Sequence, residues 1–207
     1  MRPLFITIEG PDGAGKTTAA ANVRKRLEAR GITAICTREP GGSAIGEKIR
    51  TILLDPENSE MDEVVEAILY AASRRQHLKD IVLPALESGT TVICDRFVDS
   101  SLAYQGVARG IGFDKVWSIN EPAIDGHLPD ITFLLEISEE EAAKRMDNRG
   151  TADRIELEGR TFQKKVNEGF ALAKKRFPDR IVSIDATKSP DELADEICEM
   201  IMEKAHG

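Results

Sequence analysis

Leu4-Phe5-Ile6-Thr7-Ile8-Glu9-Gly10-Pro11-Asp12-Gly13-Ala14-Gly15-Lys16-Thr17-Thr18 is the stretch that decides the fold. Residues 4–8 form a short, mostly apolar run that Glu9 cuts off, too short for a membrane span or a signal-peptide core, and they read as a buried strand. Residues 10–17 fit G-x-x-x-x-G-K-[ST] and stand directly before a helical pattern that carries Val23 and Leu27. The glycines let backbone N–H groups converge on phosphate oxygens, and the helix N-terminus adds a positive dipole end. Lys16 supplies a mobile charge and Thr17 a hydroxyl for Mg²⁺, while Pro11 has no N–H, so the cradle begins at Gly13. Residues 10–18 thus predict a nucleoside triphosphate site on Gly10, Pro11, Asp12, Gly13, Ala14, Gly15, Lys16, Thr17 and Thr18.

Outward from that turn the chain alternates. Strand-like runs at 4–9, 33–37, 90–94, 131–137 and 181–184 are separated by longer helical patterns, which predicts an α/β fold: a five-stranded parallel sheet between two helical layers. The helices carry their own start signals. Ser43 precedes a helix that stops at Asp55-Pro56, and Ser138 with Glu141, and Ser189 with Glu192, have capping-box spacing. The chain has 207 residues, which suits one domain. It has no repeat or linker, and the polar stretch at about 141–155 reads as a flap on that domain. Its 28 basic and 36 acidic residues give a net charge of −8, which argues against nucleic acid and anionic membranes as partners and requires a local cation cluster for any anionic ligand. Three unspaced cysteines predict neither a disulfide framework nor a zinc site, and fit the reducing cytoplasm.

That cation cluster lies at the strand ends. The strand at 90–94 is followed by Asp95 and Arg96, and the strand at 33–37 by Arg38, so all three project into the crevice where an open α/β sheet binds ligands. Asp95 is a candidate Mg²⁺ carboxylate, and Arg96, Arg38 and, one helix on, Arg50 are candidate phosphate ligands. The helix at 61–78 has a 3.6-residue apolar stripe, Met61, Val64, Val65, Ile68, Leu69 and Ala72, which predicts a buried face. Tyr70 and Arg74 lie four apart on a neighbouring face, spaced either as a base-stacking ring with a carbonyl reader or as a surface cation–π pair. The flap adds Arg145, Arg149 and Arg154, a cation set suited to a polyphosphate or to a solvated face.

Taken together, residues 9–18, Thr37-Arg38-Glu39-Pro40-Gly41-Gly42, Asp95-Arg96-Phe97, the segment 100–106, Asp153-Arg154-Ile155-Glu156 and Ile184-Asp185-Ala186 resemble the bacterial-type thymidylate kinases over essentially the whole chain. The resemblance implies a P-loop kinase with a helical lid, ATP and dTMP as substrates, Mg²⁺, dTDP and ADP as products on the way to dTTP, and a homodimer. It implies further that Tyr70 stacks on the base and Arg74 reads its carbonyl. Ser101 and Gln105 would meet the base edge, Tyr104 the sugar face without a 2′-hydroxyl, and Asp12 the 3′-hydroxyl. Arg38, Arg50 and Arg96 would hold the monophosphate, and Asp185 would border the adenine. Gly13 stands where the eukaryotic-like type has arginine, so the catalytic arginine would come from the lid, Arg149, supported by Arg145 and Arg154, beside the catalytic group Lys16, Arg96 and Asp12. Two departures stand out: Tyr70 replaces the commoner phenylalanine, and Ser73 a residue that is often acidic. The alternatives are a deoxyuridylate kinase, a thymidine kinase, and a P-loop switch; three acceptor-side arginines weigh against the second, and Tyr70, Arg74 and Tyr104 have no place in the third.

Overall fold

The computed structural model describes residues 2–146 and 153–206. Among these residues, β1 (Phe5–Glu9), β2 (Ala34–Arg38), β3 (Thr91–Asp95), β4 (Ile131–Glu136) and β5 (Ile181–Asp185) form one parallel sheet in the order β2-β3-β1-β4-β5. Helix α1 (Lys16–Ala29) crosses from β1 to β2. Then α2 (Ala44–Leu54), α3 (Glu63–His77) and α4 (Leu83–Glu87) lead to β3, and α5 (Val98–Ser101) and α6 (Phe113–Ile124) lead to β4. Helices α7 (Glu139–Met146) and α8 (Arg160–Arg176) precede β5, and α9 (Pro190–His206) follows it. The strands the sequence predicts are all present, each end within one residue of its expected place.

The central strand explains the layering. Leu4, Ile6 and Ile8 pack into one core with Val23 and Leu27 of α1 and Ile197 and Ile201 of α9. Phe5, on the opposite face, joins Leu78, Val92, Phe97, Leu102 and Val116 in a second core, its ring edge-on to Phe97 at 5.1 Å. A strand buried on both faces is what a doubly covered parallel sheet requires. On the far side α8 lies so close to the π-helical stretch Leu102–Ala108 that a Cβ on Gly169 would fall 2.5 Å from Ala103 Cα.

The predicted caps form. Ser43 Oγ accepts from Gly46 N at 3.1 Å, Ser138 Oγ from Glu141 N at 3.2 Å, and Ser189 and Glu192 bond reciprocally.

The apolar stripe of the third helix does not point inward. The helix begins after Asp62, whose carboxylate caps Val64 N and Val65 N, and it buries Glu66, Ala67, Ala71, Ser73, Arg74 and His77. Val65 and Ile68, expected in the core, are 48% and 52% exposed. The physical reason is that the buried polar groups are each paired with groups on other segments, Glu66 with Arg154 and Gln105, Arg74 and His77 with Glu39, and the alanines between them permit close approach, so this face loses little on burial. The apolar face is left outside.

Candidate active site

Parallel register brings the carboxyl ends of β1, β2 and β3 level: Ile8 pairs with Asp95, and Asp95 with Arg38. The loops that follow line one open cleft.

At one end lies the phosphate loop. Gly13 has φ +84°, and a Cβ there would stand 2.4 Å from the Ala142 carbonyl oxygen on α7, so only glycine fits. Lys16 opens α1, buried, its Nζ donating to the Pro11 carbonyl at 2.8 Å and lying 4.0 Å from Asp12. Burial, and then the neighbouring Arg96, push its pKa down to about 8. Ala14 N closes the turn on Pro11 O, and Thr18 is exposed one residue beyond Thr17. Thr17 Oγ1 donates to Asp95 Oδ2 at 2.5 Å, an all-oxygen pair that suits a small hard cation. Among the described residues no three His, Cys, Asp or Glu cluster as metal ligands, so a cation here would complete its shell with water and phosphate oxygens, the usual manner of Mg²⁺. Arg145 crosses above Gly15 and donates to the Ala186 carbonyl at 3.2 Å, next to Asp185, whose carboxylate holds the Thr187 amide at 2.9 Å. Arg149 lies outside the described residues.

Arg96 occupies the middle of the cleft. Its φ is +71°, a left-handed conformation that costs a non-glycine residue about 1–2 kcal/mol. Two bonds hold it there: Arg96 N to Ile8 O at 3.0 Å, and Phe97 N to Glu9 Oε1 at 2.7 Å. Its guanidinium then reaches the Gly10 carbonyl and Ser100 Oγ at 3.0 Å each, the Asp12 carboxylate and the Tyr104 hydroxyl, and lies over the Tyr104 ring. Tyr104 in turn donates to Asp12 Oδ2 at 2.9 Å. Burial would raise the Asp12 pKa, but Arg96 and Lys16 outweigh it and bring the carboxyl to about 2. Glu9, buried and near Asp99, is pushed up to about 7 although it accepts bonds from Phe97, Ser100 N and Ser100 Oγ.

The other end is deeper. Arg38 and Arg50 stand at its rim, Arg38 on both Glu47 oxygens at 2.9 Å and Arg50 on the Pro40 carbonyl at 2.9 Å. Tyr70 lines the wall, its hydroxyl pKa raised by burial. Arg74 is 1% exposed. Its Nε sits 2.8 Å from Glu39 Oε2, an ion pair out of line for a hydrogen bond, while its other nitrogens donate to Ser101 Oγ and Asn120 Oδ1 and its plane covers Phe97. Glu39 Oε1 meets His77 Nδ1 at 2.9 Å, and His77 Nε2 meets Thr37 Oγ1 at 2.7 Å. Gln105 lines the same end and donates to Glu66 at 2.8 Å.

The fold therefore gathers Asp12, Lys16, Thr17, Arg38, Arg50, Tyr70, Arg74, Asp95, Arg96, Ser101, Tyr104 and Gln105 around one cleft. Arg154, grouped in the sequence with the lid cations, turns away from it: its Nε donates to the Leu53 carbonyl at 2.9 Å and its Nη2 pairs with Glu66 at 2.5 Å. A buried carboxylate and the carbonyl end of α2 occupy its guanidinium. Sequence reasoning assigned no part to Glu9, Glu39, Glu66, His77 or Asn120. The available signal was a polar row on the third helix, Glu66, Ser73, Arg74 and His77, which composition alone reads as solvated.

A family model described as thymidylate kinase matches residues 8–197. The chain is similar to the thymidylate kinase of Clostridium novyi (strain NT), with 50% identity over 93% of this chain and 95% of that protein. It is 47% identical to that of Halalkalibacterium halodurans, over 97% and 96% of the two chains, and 46% identical to that of Geobacillus thermodenitrificans, over 100% and 93%.

Proposed function

The chain belongs to the thymidylate kinase family, whose reaction is phosphoryl transfer from ATP to dTMP, giving dTDP and ADP, and from that premise we propose how its own residues divide the work. The triphosphate of ATP lies on residues 10–18, with Arg145 over the loop, Asp185 toward the adenine and Arg149 as the lid arginine. The dTMP phosphate meets Arg38, Arg50 and Arg96, its sugar Asp12 and Tyr104, and its base Tyr70, Arg74, Ser101 and Gln105. What carries this reading is that one cleft is lined by the phosphate loop, by three arginines, Arg38, Arg50 and Arg96, and by the Tyr70 ring and the buried Arg74 guanidinium.

A phosphate monoester has a second pKa of about 6, so the acceptor is already dianionic at neutral pH and needs no general base. Alignment and charge neutralisation by Lys16 and the arginines remain as the protein's task. Mg²⁺, for which Thr17 and Asp95 are the fitting ligands, would neutralise charge on the phosphoryl oxygens when bound. Lys16→Ala and Arg149→Ala should each lower turnover by roughly 10²–10³-fold with the far-UV spectrum unchanged.

The chain acts as one domain and as a homodimer. Ile45 and Ile52 of α2 and Val65 and Ile68 of α3, two helices that pack together, are about half exposed and offer the apolar face. Three free thiols suit the reducing cytoplasm. The direct test is ADP release from ATP and Mg²⁺ with dTMP, dUMP, dGMP, CMP or thymidine as acceptor. Activity with dTMP is expected; activity confined to thymidine, or absent with every acceptor, would sink the assignment.

A further inference from the structure

We infer that Glu66, placed behind the pocket wall, sets which pyrimidine the site accepts by holding the amide of Gln105 in one orientation. The inference rests on the reading above, in which Gln105 and Arg74 face the base. Glu66 is 1% exposed and ringed by donors: Gln105 Nε2 lies 2.8 Å from Oε1, and Arg154 Nη2 and Arg109 Nη2 lie 2.5 and 3.2 Å from Oε2. A carboxylate paired with two guanidiniums offers only acceptors, so the Gln105 amide can turn only its nitrogen toward it. The two ends of an amide are alike in shape and opposite in hydrogen bonding, so fixing one fixes the other. Oε1 is then the end left for a ligand, on a residue that lines the cleft.

Arg74 is the second fixed group. It has donors only, and Glu39, Asn120 and Ser101 hold it in place. A base edge entering between them meets a donor and then an acceptor. A pyrimidine with a carbonyl at ring position 4 and N–H at position 3 complements that order. A pyrimidine with an amino group at position 4 and a bare ring nitrogen sets donor against donor and acceptor against acceptor, and leaves buried polar groups unpaired. Glu66 is thus a positioning residue: Arg154 and Arg109 Nη2 hold its other oxygen, and Arg109 Nε, 3.3 Å from Oε1, adds a second donor on the oxygen that Gln105 meets.

The test compares kcat/KM for dTMP and dCMP in wild type, Glu66→Gln, Gln105→Met and the double variant, with dCMP read as a competitive inhibitor where it is not phosphorylated. Wild type should prefer dTMP strongly. Glu66→Gln places a donor where Gln105 can reverse, and should narrow the dTMP-to-dCMP preference by roughly tenfold while KM for ATP holds. Gln105→Met keeps the Glu66 ion pairs and should narrow it alike, and the double variant should narrow it no further. A merely structural role would lower both acceptors by one factor and leave the ratio unchanged, which overturns the inference. So does a wild-type ratio in Gln105→Met, which decides the matter even if Glu66→Gln does not fold. A wild-type protein silent on dTMP overturns the reading on which this rests, and the inference with it.

Discussion

The protonation of Lys16, buried in the cleft, depends on what fills it. Burial and Arg96 hold its pKa near 8 where an ordinary lysine has 10.5. The unfolded chain keeps that proton up to 10.5 and the folded chain releases it near 8, so this group makes the fold gain stability as pH rises from 8 to 10.5. Triphosphate oxygens beside Lys16 restore the charge, so ATP binding at pH 8 should take up a fraction of a proton, read by calorimetry in buffers of different ionisation enthalpy. Lys16→Met should abolish the uptake; uptake that persists in the variant would refute the assignment. Glu9 has the opposite sign. Its pKa moves from 4.5 to about 7, so the folded chain holds the extra proton and stability falls as pH rises through that window. Urea unfolding at pH 5 and pH 7 should show a smaller difference in Glu9→Gln. At this scale the sequence was legible where a residue's place follows from its strand: Arg38, Asp95 and Arg96 stand at carboxyl ends. The partners of Arg74 and Gln105 were not legible, because Glu39 meets Arg74, and Glu66 meets Gln105, only once distant segments pack.

Helix α3 shows how an element can be found and yet turned the wrong way. Its existence, length and start signal are local, and Asp62 at the cap shows this: Asp62→Ala should cost about 1 kcal/mol and lower the melting temperature by about 2–4 °C. Its orientation is not local. A 3.6-residue apolar period marks a face that leaves water, without saying whether that face leaves it for the chain's own core or for another surface. Here the inner face carries Glu66, Arg74 and His77 with their partners, and the apolar face carries Val65 and Ile68. On the homodimer proposed above, Ile68→Glu should halve the mass in sedimentation and leave the melting transition within a few degrees. A dimer that survives the charge would place the interface elsewhere.

The whole molecule is held by a few close approaches between layers. Gly169 of α8 lies against Ala103, and this contact seats the stretch Leu102–Ala108 that carries Tyr104 and Gln105 into the cleft. A methyl group 2.5 Å from a backbone carbon forces the layers apart, so Gly169→Ala should lose about 1–3 kcal/mol in chemical denaturation and weaken dTMP more than ATP. The net charge of −8 still argues against polymeric nucleic acid, and the cations that matter are gathered at strand ends. By itself the sequence determined the alternating elements, the phosphate loop and the strand-end residues Arg38, Asp95 and Arg96 that line the cleft, because turn chemistry, strand period and short motifs act over a few residues. Only the tertiary structure decided which face of α3 is buried, that Arg154 pairs with Glu66, and that Glu39 and Glu66 meet Arg74 and Gln105 at the cleft. Those outcomes depend on pairing buried charges across dozens of residues, and no local pattern records which partner a buried charge will meet.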